Sequence, residues 1–217
     1  MIKLVIIDID DTLILTEKAC FKVENRIAEG MGFLPMSRET HMKNWGTPLK
    51  EAIIERFPGI DAEVFAQKLK EQLPDLVRTG EMDAVSDTNV QTLEAIKKLG
   101  KRLAILTSRE LYEMEHLLDT THALNDKIEA FFHKDNSDYT KPNPKVFDKI
   151  LSHFNVAPSE AVYVGDTLND GLCAKAAGLH FVALLESGLK TKMDFASVPV
   201  DYFANIFSDV VSYVNAN

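Results

Sequence analysis

Four short segments concentrate the side chains best suited to chemistry. The first is Asp8-Ile9-Asp10-Asp11-Thr12-Leu13, where two carboxylates stand two residues apart directly after an apolar run. An apolar strand that delivers an acid at its carboxyl end places it where open α/β sheets bind ligands, although Asp and Thr are also ordinary turn residues. Thr107-Ser108 follows the run at 102–106 and offers a hydroxyl and backbone N–H groups at a helix start, suited to a phosphoryl oxygen and equally to routine capping. Lys141-Pro142 brings one positive charge ahead of the helix start at Asn143-Pro144. Gly165-Asp166-Thr167-Leu168-Asn169-Asp170 places two more carboxylates, four residues apart, around another helix start. Capping accounts for one of them; beside the Asp8 pair, the two read as an oxygen-ligand Mg²⁺ site.

These segments need a scaffold that gathers strand ends. Residues 2–7, 102–106, 161–164 and 181–185 are short apolar runs without alternation, as expected of strands covered on both faces of a parallel sheet. Stretches 109–119, 144–154, 168–177 and 206–214 follow them with apolar spacings of three and four, predicting helices. Alternating strand and helix argue for a doubly wound α/β core. Residues 16–81 differ, because helical periods there succeed one another without strands. Ala19, Cys20, Val23 and Ile27 share one stripe closed by Gly30, Thr47-Pro48 opens a second helix, and Asp61 caps a third. The predicted organisation is a core of residues 1–15 and 82–217 with an all-helical insert, 16–81, after the first strand. The helix at 88–99, capped by Ser86 or Asp87 and ended by Gly100, returns the chain to the core.

Composition narrows the partners. Thirty-three Asp plus Glu against 24 Lys plus Arg give a net charge of −9, which argues against nucleic acid and anionic membranes. An anionic ligand must then be held by local groups. Cys20 and Cys173 are the only cysteines, too few for a disulfide framework or a Cys-based zinc site and in keeping with a reducing cytosol. The apolar run before Asp8 is too short for a signal peptide, and no stretch reaches the roughly 20 apolar residues of a membrane span, so a cytoplasmic location is expected. The six histidines show no metal-ligand spacing, the Met31 and Met36 region reads as core or turn, and both thiols read as small hydrophobes.

The four segments, in this order, resemble the motifs of the haloacid dehalogenase-like hydrolases. DxDxT is matched by Asp8, Asp10 and Thr12, the hydroxyl motif by Thr107, the lysine motif by Lys141, and GDxxxD by Gly165, Asp166 and Asp170. One departure is Asp11, where many members carry Gly. The resemblance implies a Rossmann-like core and phosphoryl transfer through an aspartyl-phosphate: Asp8 as nucleophile, Asp10 as acid and base, and Thr107, the Ser108 N–H and Lys141 on the phosphoryl oxygens. It implies Mg²⁺ held by the Asp8 side chain, the Asp10 backbone carbonyl and Asp166, with Asp170 a further ligand, a water contact or a partner of Lys141. Thr12 is expected to support the loop.

The presence of Asp10 points away from the dehalogenase branch, which lacks it. The implied activity is a phosphatase for a small phosphorylated metabolite, in a monomer or weak homodimer. A sugar phosphomutase and a catalytically silent metabolite-binding member stand as alternatives; mutases commonly carry Val where Thr12 stands. By position the helical insert matches the cap of the phosphoglycolate phosphatase and β-phosphoglucomutase branch. Lys43-Asn-Trp45-Gly46-Thr47-Pro48-Leu49 is the candidate contact loop, with Trp45 as plausible in packing as in contact.

Overall fold

The computed structural model describes residues 1–217. The chain divides into two compact units, Met1–Ile14 with Val85–Asn217, and Leu15–Ala84. The first is an α/β core around a six-stranded, wholly parallel sheet, comprising β1 (Leu4–Ile7), β2 (Arg102–Leu106), β3 (Ala130–Phe132), β4 (Ala161–Gly165), β5 (His180–Leu184) and β6 (Tyr202–Ala204) in the order β3-β2-β1-β4-β5-β6.

The absence of alternation in the apolar runs has a direct cause. Val5 and Ile7 point into one cluster with Leu93, Ile96, Val210 and Val214, whereas Leu4 and Ile6 point into another with Phe147, Ile150, Phe154 and Cys173. All four residues of β1 are fully buried. Each such aliphatic side chain contributes about 1.5–3 kcal/mol by leaving water. Helices α5 (Asp87–Lys98) and α9 (Asp209–Ala216) supply the first cluster; α7 (Asp148–Phe154) and α8 (Leu168–Ala176) supply the second.

Strands β1, β2 and β4 are adjacent, and the chain runs outward on one side of β1 before returning beside it on the other. That reversal is where doubly wound sheets open a crevice beyond the strand ends. Asp8 follows β1, Thr107 follows β2 and Asp166 follows β4, so three of the four segments meet there.

Several elements depart from the predicted boundaries. Strands β3 and β6 have only three residues each, too few to register as apolar runs. The helix expected over 109–119 splits into α6 (Leu111–Met114) and a 3-10 turn, Glu115–Leu118. Its buried apolar residues are Met114 and Leu117, three apart, a spacing that suits the tighter 3-10 turn. The stretch 144–154 likewise begins as a 3-10 turn at Pro144–Phe147 before α7, with the Asn143 side chain accepting from Lys145 N at 3.0 Å.

Helix α8 packs on β5 so closely that a Cβ at Gly171 would lie 2.8 Å from Phe181 Cε1 and 3.0 Å from Val198 Cγ1. Alanine is the better helix former by about 1 kcal/mol, but the clash with a ring and a branched side chain in a packed core outweighs it. Gly171→Ala is expected to destabilise the protein by about 1–2 kcal/mol in urea unfolding. An unchanged midpoint would show that Phe181 can yield.

The second unit is all-helical: α1 (Glu17–Gly30), α2 (Arg38–Lys43), α3 (Leu49–Arg56) and α4 (Ala62–Arg78). Val23, Ile27, Ile53, Phe57, Phe65, Leu69 and Leu73 form its core. Asp61 caps α4 as expected, accepting from the Glu63 and Val64 N–H groups. Helix α2 is polar throughout apart from Met42 and buries only His41, so it carries no apolar stripe to read in advance. His41 is fully buried between Glu17 and Glu24, and Arg56 Nη1 pairs with Glu24 Oε2 at 2.6 Å. Trp45 is half-buried, 5.0 Å from the His41 ring and beneath the Arg56 guanidinium, which gives it a packing role within this unit. No helix of the protein is long and apolar enough to cross a membrane.

Candidate active site

Asp8 continues the parallel ladder, its N–H donating to Val164 O at 3.0 Å, and the chain then turns sharply. The N–H groups of Thr12, Leu13 and Ile14 all converge on the Ile9 carbonyl. This turn places Asp11 at φ +51° and buries it. A left-handed residue is what glycine supplies at no steric cost, and Asp is among the few others that enter that region readily. Asp11 therefore fits the left-handed position of this tight turn.

Beyond β4, Thr167 and Asp170 cap α8 reciprocally. Thr167 Oγ1 accepts from Asp170 N at 3.2 Å, while Asp170 Oδ2 accepts from Thr167 N at 2.9 Å and from Thr167 Oγ1 at 2.6 Å. Asp170 is fully buried, and its other oxygen faces the site. Gly165 makes room for it, since a Cβ there would lie 2.7 Å from the Cβ, Cγ and Oδ2 of Asp170. Capping and site chemistry are thus served by the two oxygens of one carboxylate.

Lys141 joins the segments. Its Nζ donates to Asp8 Oδ2 at 2.7 Å, to Asp170 Oδ1 at 2.9 Å and to the Tyr163 hydroxyl at 3.0 Å, which uses all three of its N–H bonds. Asp166 stands beside them, with Thr12 Oγ1 donating to its Oδ1 at 3.4 Å, so Thr12 ties the β1 turn to the β4 turn. Oxygens of Asp8, Asp166 and Asp170 lie within 4.8 Å of one another.

The charge balance of this group is unequal. Burial pushes Asp8 up to about 7 even though Lys141 pulls the other way, and burial together with Asp170 and Asp8 raises Asp166 well above the carboxylate range. Burial also opposes the charge on Lys141, but Asp170 and Asp8 outweigh it and hold the ammonium well above its usual value. Three buried carboxylates surround one ammonium. All-oxygen donors and a surplus of negative charge suit a hard divalent cation.

Thr107 is buried, with its N–H on Phe132 O at 3.0 Å and its Oγ1 accepting from Arg109 N at 3.2 Å; Ser108 is exposed on the same turn. The carboxylate of Asp10 does not join the three-Asp cluster. Arg109 Nη2 donates to Asp10 Oδ1 at 2.7 Å and Arg109 Nε to Asp10 Oδ2 at 3.0 Å. This leaves the Asp10 backbone carbonyl as the group that resemblance assigns to a metal.

Two residues of the site escaped the sequence reading. Tyr163 lies inside an apolar strand and reads as core, and its hydroxyl was the available signal. Arg109 opens a helical stretch and reads as a surface residue, although it stands only two positions after Thr107.

The family model for haloacid dehalogenase-like hydrolases matches residues 5–184. A phosphoglycolate phosphatase of Nitrosospira multiformis is 28% identical over 185 residues, covering 82% of this chain and 81% of the relative. A glyceraldehyde 3-phosphate phosphatase of Pyrococcus furiosus is 31% identical over 198 residues, covering 83% of this chain and 80% of the relative. In fold, the chain is similar to CbbY from Rhodobacter sphaeroides in complex with phosphate, with a TM-score of 0.79 at 23% identity over 97% of this chain and 96% of the other. With the family model spanning residues 5–184, the chain belongs to the haloacid dehalogenase-like hydrolases.

Proposed function

We propose that this protein is a Mg²⁺-dependent phosphatase that hydrolyses a small phosphomonoester through an aspartyl-phosphate on Asp8. One observation carries the reading: the Asp8 carboxylate, at the end of β1, sits 2.7 Å from Lys141 within a three-carboxylate cluster. An anionic nucleophile can approach an anionic phosphate only where positive charge offsets the repulsion. Both relatives above are named as phosphatases of small phosphorylated compounds, which supports the substrate class.

The Asp8 and Asp166 side chains and the Asp10 backbone carbonyl are the groups that would hold Mg²⁺, with Asp170 beside them. When bound, the cation supplies charge neutralisation to the phosphoryl oxygens and orients them for in-line attack. Lys141, Thr107 and the Ser108 N–H bind the same oxygens. Asp8 attacks phosphorus as the ester P–O bond breaks, and Asp10 gives its proton to the departing alkoxide. Asp10 then takes a proton from the water that cleaves the Asp8–phosphate bond, which frees inorganic phosphate and restores the starting state. Burial of Asp8 and Asp166 keeps bulk water from screening these interactions.

Purified protein with Mg²⁺ is expected to release inorganic phosphate from p-nitrophenyl phosphate and from a subset of a phosphorylated-metabolite panel. EDTA should reduce the rate at least about 100-fold, and added Mg²⁺ should restore it. No release from any monoester in Mg²⁺, or a rate indifferent to EDTA, overturns the proposal. Conversion of a hexose 1-phosphate to the 6-phosphate without free phosphate assigns a mutase instead.

A further inference from the structure

We propose that Arg109 is the positioning residue of the acid/base step, orienting the Asp10 carboxylate by a two-bond clamp. The inference rests on the reading of Asp10 as acid and base. Arg109 lies three residues beyond the end of β2 and is 9% exposed. Its Nε and Nη2 donate to the two oxygens of Asp10 at 3.0 and 2.7 Å, and its Nη1 donates to the Glu113 carbonyl at 3.3 Å. Its backbone N–H is held by Thr107 Oγ1 at 3.2 Å. Main chain and guanidinium are therefore both anchored on the segment that follows β2.

A planar fork against a planar carboxylate sets both the direction and the rotation of the acid, whereas a lysine ammonium sets only a distance. Asp10 needs that help. Its side chain is 35% exposed and belongs to a turn, whereas the Asp8 and Asp170 side chains are buried and fixed by Lys141. The clamp also links two functions on one segment. Thr107, assigned to the phosphoryl oxygens, and Arg109, holding the proton donor, stand two residues apart, so phosphate and acid share one frame of reference.

The consequence is a loss confined to steps that move a proton. An acid displaced by about 1 Å slows its step about 100-fold. Arg109→Met should therefore lower kcat for an alkyl phosphomonoester about 100-fold with KM changed less than about threefold, and Arg109→Lys should fall between it and the wild type. p-Nitrophenolate is a good leaving group and needs little protonation. Its first-turnover burst should keep nearly the wild-type rate and amplitude in Arg109→Met, followed by a slow steady state limited by hydrolysis of the Asp8–phosphate bond. The burst amplitude also counts folded, competent sites.

The deciding measurement is a double-mutant cycle with Asp10→Ala in single turnover of the alkyl ester. If Arg109 acts through Asp10, Arg109→Met adds less than about twofold to the Asp10→Ala loss. A further loss of tenfold or more in that background, or a KM rise without a kcat loss, overturns the inference and makes Arg109 a direct phosphate contact or a structural residue. An inactive wild type with Mg²⁺ fails the phosphatase reading itself, which keeps the two failures apart.

Discussion

Asp8→Asn is expected to reduce steady-state phosphate release by at least about 1000-fold, because an amide cannot form the acyl-phosphate bond. The substitution is nearly isosteric. Its one side-chain oxygen can accept either from Ile9 N, the contact made at 2.8 Å in the wild type, or from Lys141, which keeps Asp170 as a partner, and the adjacent ladder bond to Val164 is untouched. The loss should therefore come with an intact fold. Stability provides a second, opposite readout. Burial raises the Asp8 carboxyl from 3.8 to about 7, so the folded protein binds a proton there more tightly than the unfolded chain does. The stability from this group is present at low pH and is lost as pH rises from about 4 toward 7. Above that range the metal-free wild type carries a disfavoured carboxylate that Asn lacks. In metal-free buffer at pH 8, Asp8→Asn should thus melt at or above the wild-type temperature, with the gap closing near pH 4. Phosphate release, intact mass after substrate addition, and thermal melts followed by circular dichroism test the three claims together. A phosphorylated mass in the variant, or activity within tenfold of wild type, would remove Asp8 from the nucleophile role.

How much of this site could be read in advance depends on whether a residue's meaning is local. Asp8, Thr107 and Asp166 were legible because each ends an aliphatic run covered on both faces, and the transition from buried strand to polar turn is visible in a single chain. Asp170 was legible as a cap. That its second oxygen meets Lys141 depends on β1, β4 and the segment after β3 converging, which no local pattern encodes. The same limit hid the Arg109–Asp10 pair, 99 residues apart in sequence. Tyr163 was obscured differently, since its four neighbours in the run, Ala161, Val162, Val164 and Gly165, are apolar or small and the ring itself is core. Strands β3 and β6 and helix α2 went unread because short or polar elements draw their stability from tertiary pairing, with too little periodicity of their own.

Lys141→Met tests the charge balance that underlies the whole site. The wild-type lysine side chain is 10% exposed and its ammonium pairs with two buried carboxylates, Asp8 and Asp170, while Asp166 stands near them. Methionine keeps much of the volume of the stem and removes the charge. Removing one partner of a buried pair leaves uncompensated charge, at a cost of about 3–5 kcal/mol. Asp170 has no aqueous alternative because it is fully buried and locked to Thr167. The direction with pH follows. Asp8 and Asp166 are already pushed upward by burial, and loss of the lysine pushes them further, so the carboxyls can take up protons in acid but not in base. The variant should be close to wild type near pH 5 and most destabilised near pH 8 in metal-free buffer. A divalent cation bound by folded protein and not by unfolded chain should recover part of this loss, so millimolar Mg²⁺ should raise the melting temperature more in Lys141→Met than in the wild type. Activity should not recover with stability. The ammonium proposed to bind the phosphoryl oxygens is gone, and kcat/KM should remain about 100- to 1000-fold low at saturating Mg²⁺. If the variant melts like the wild type at pH 8 without metal, Lys141 does not offset the carboxylates, and the positive charge that admits a phosphate to this acidic pocket must come from the cation alone.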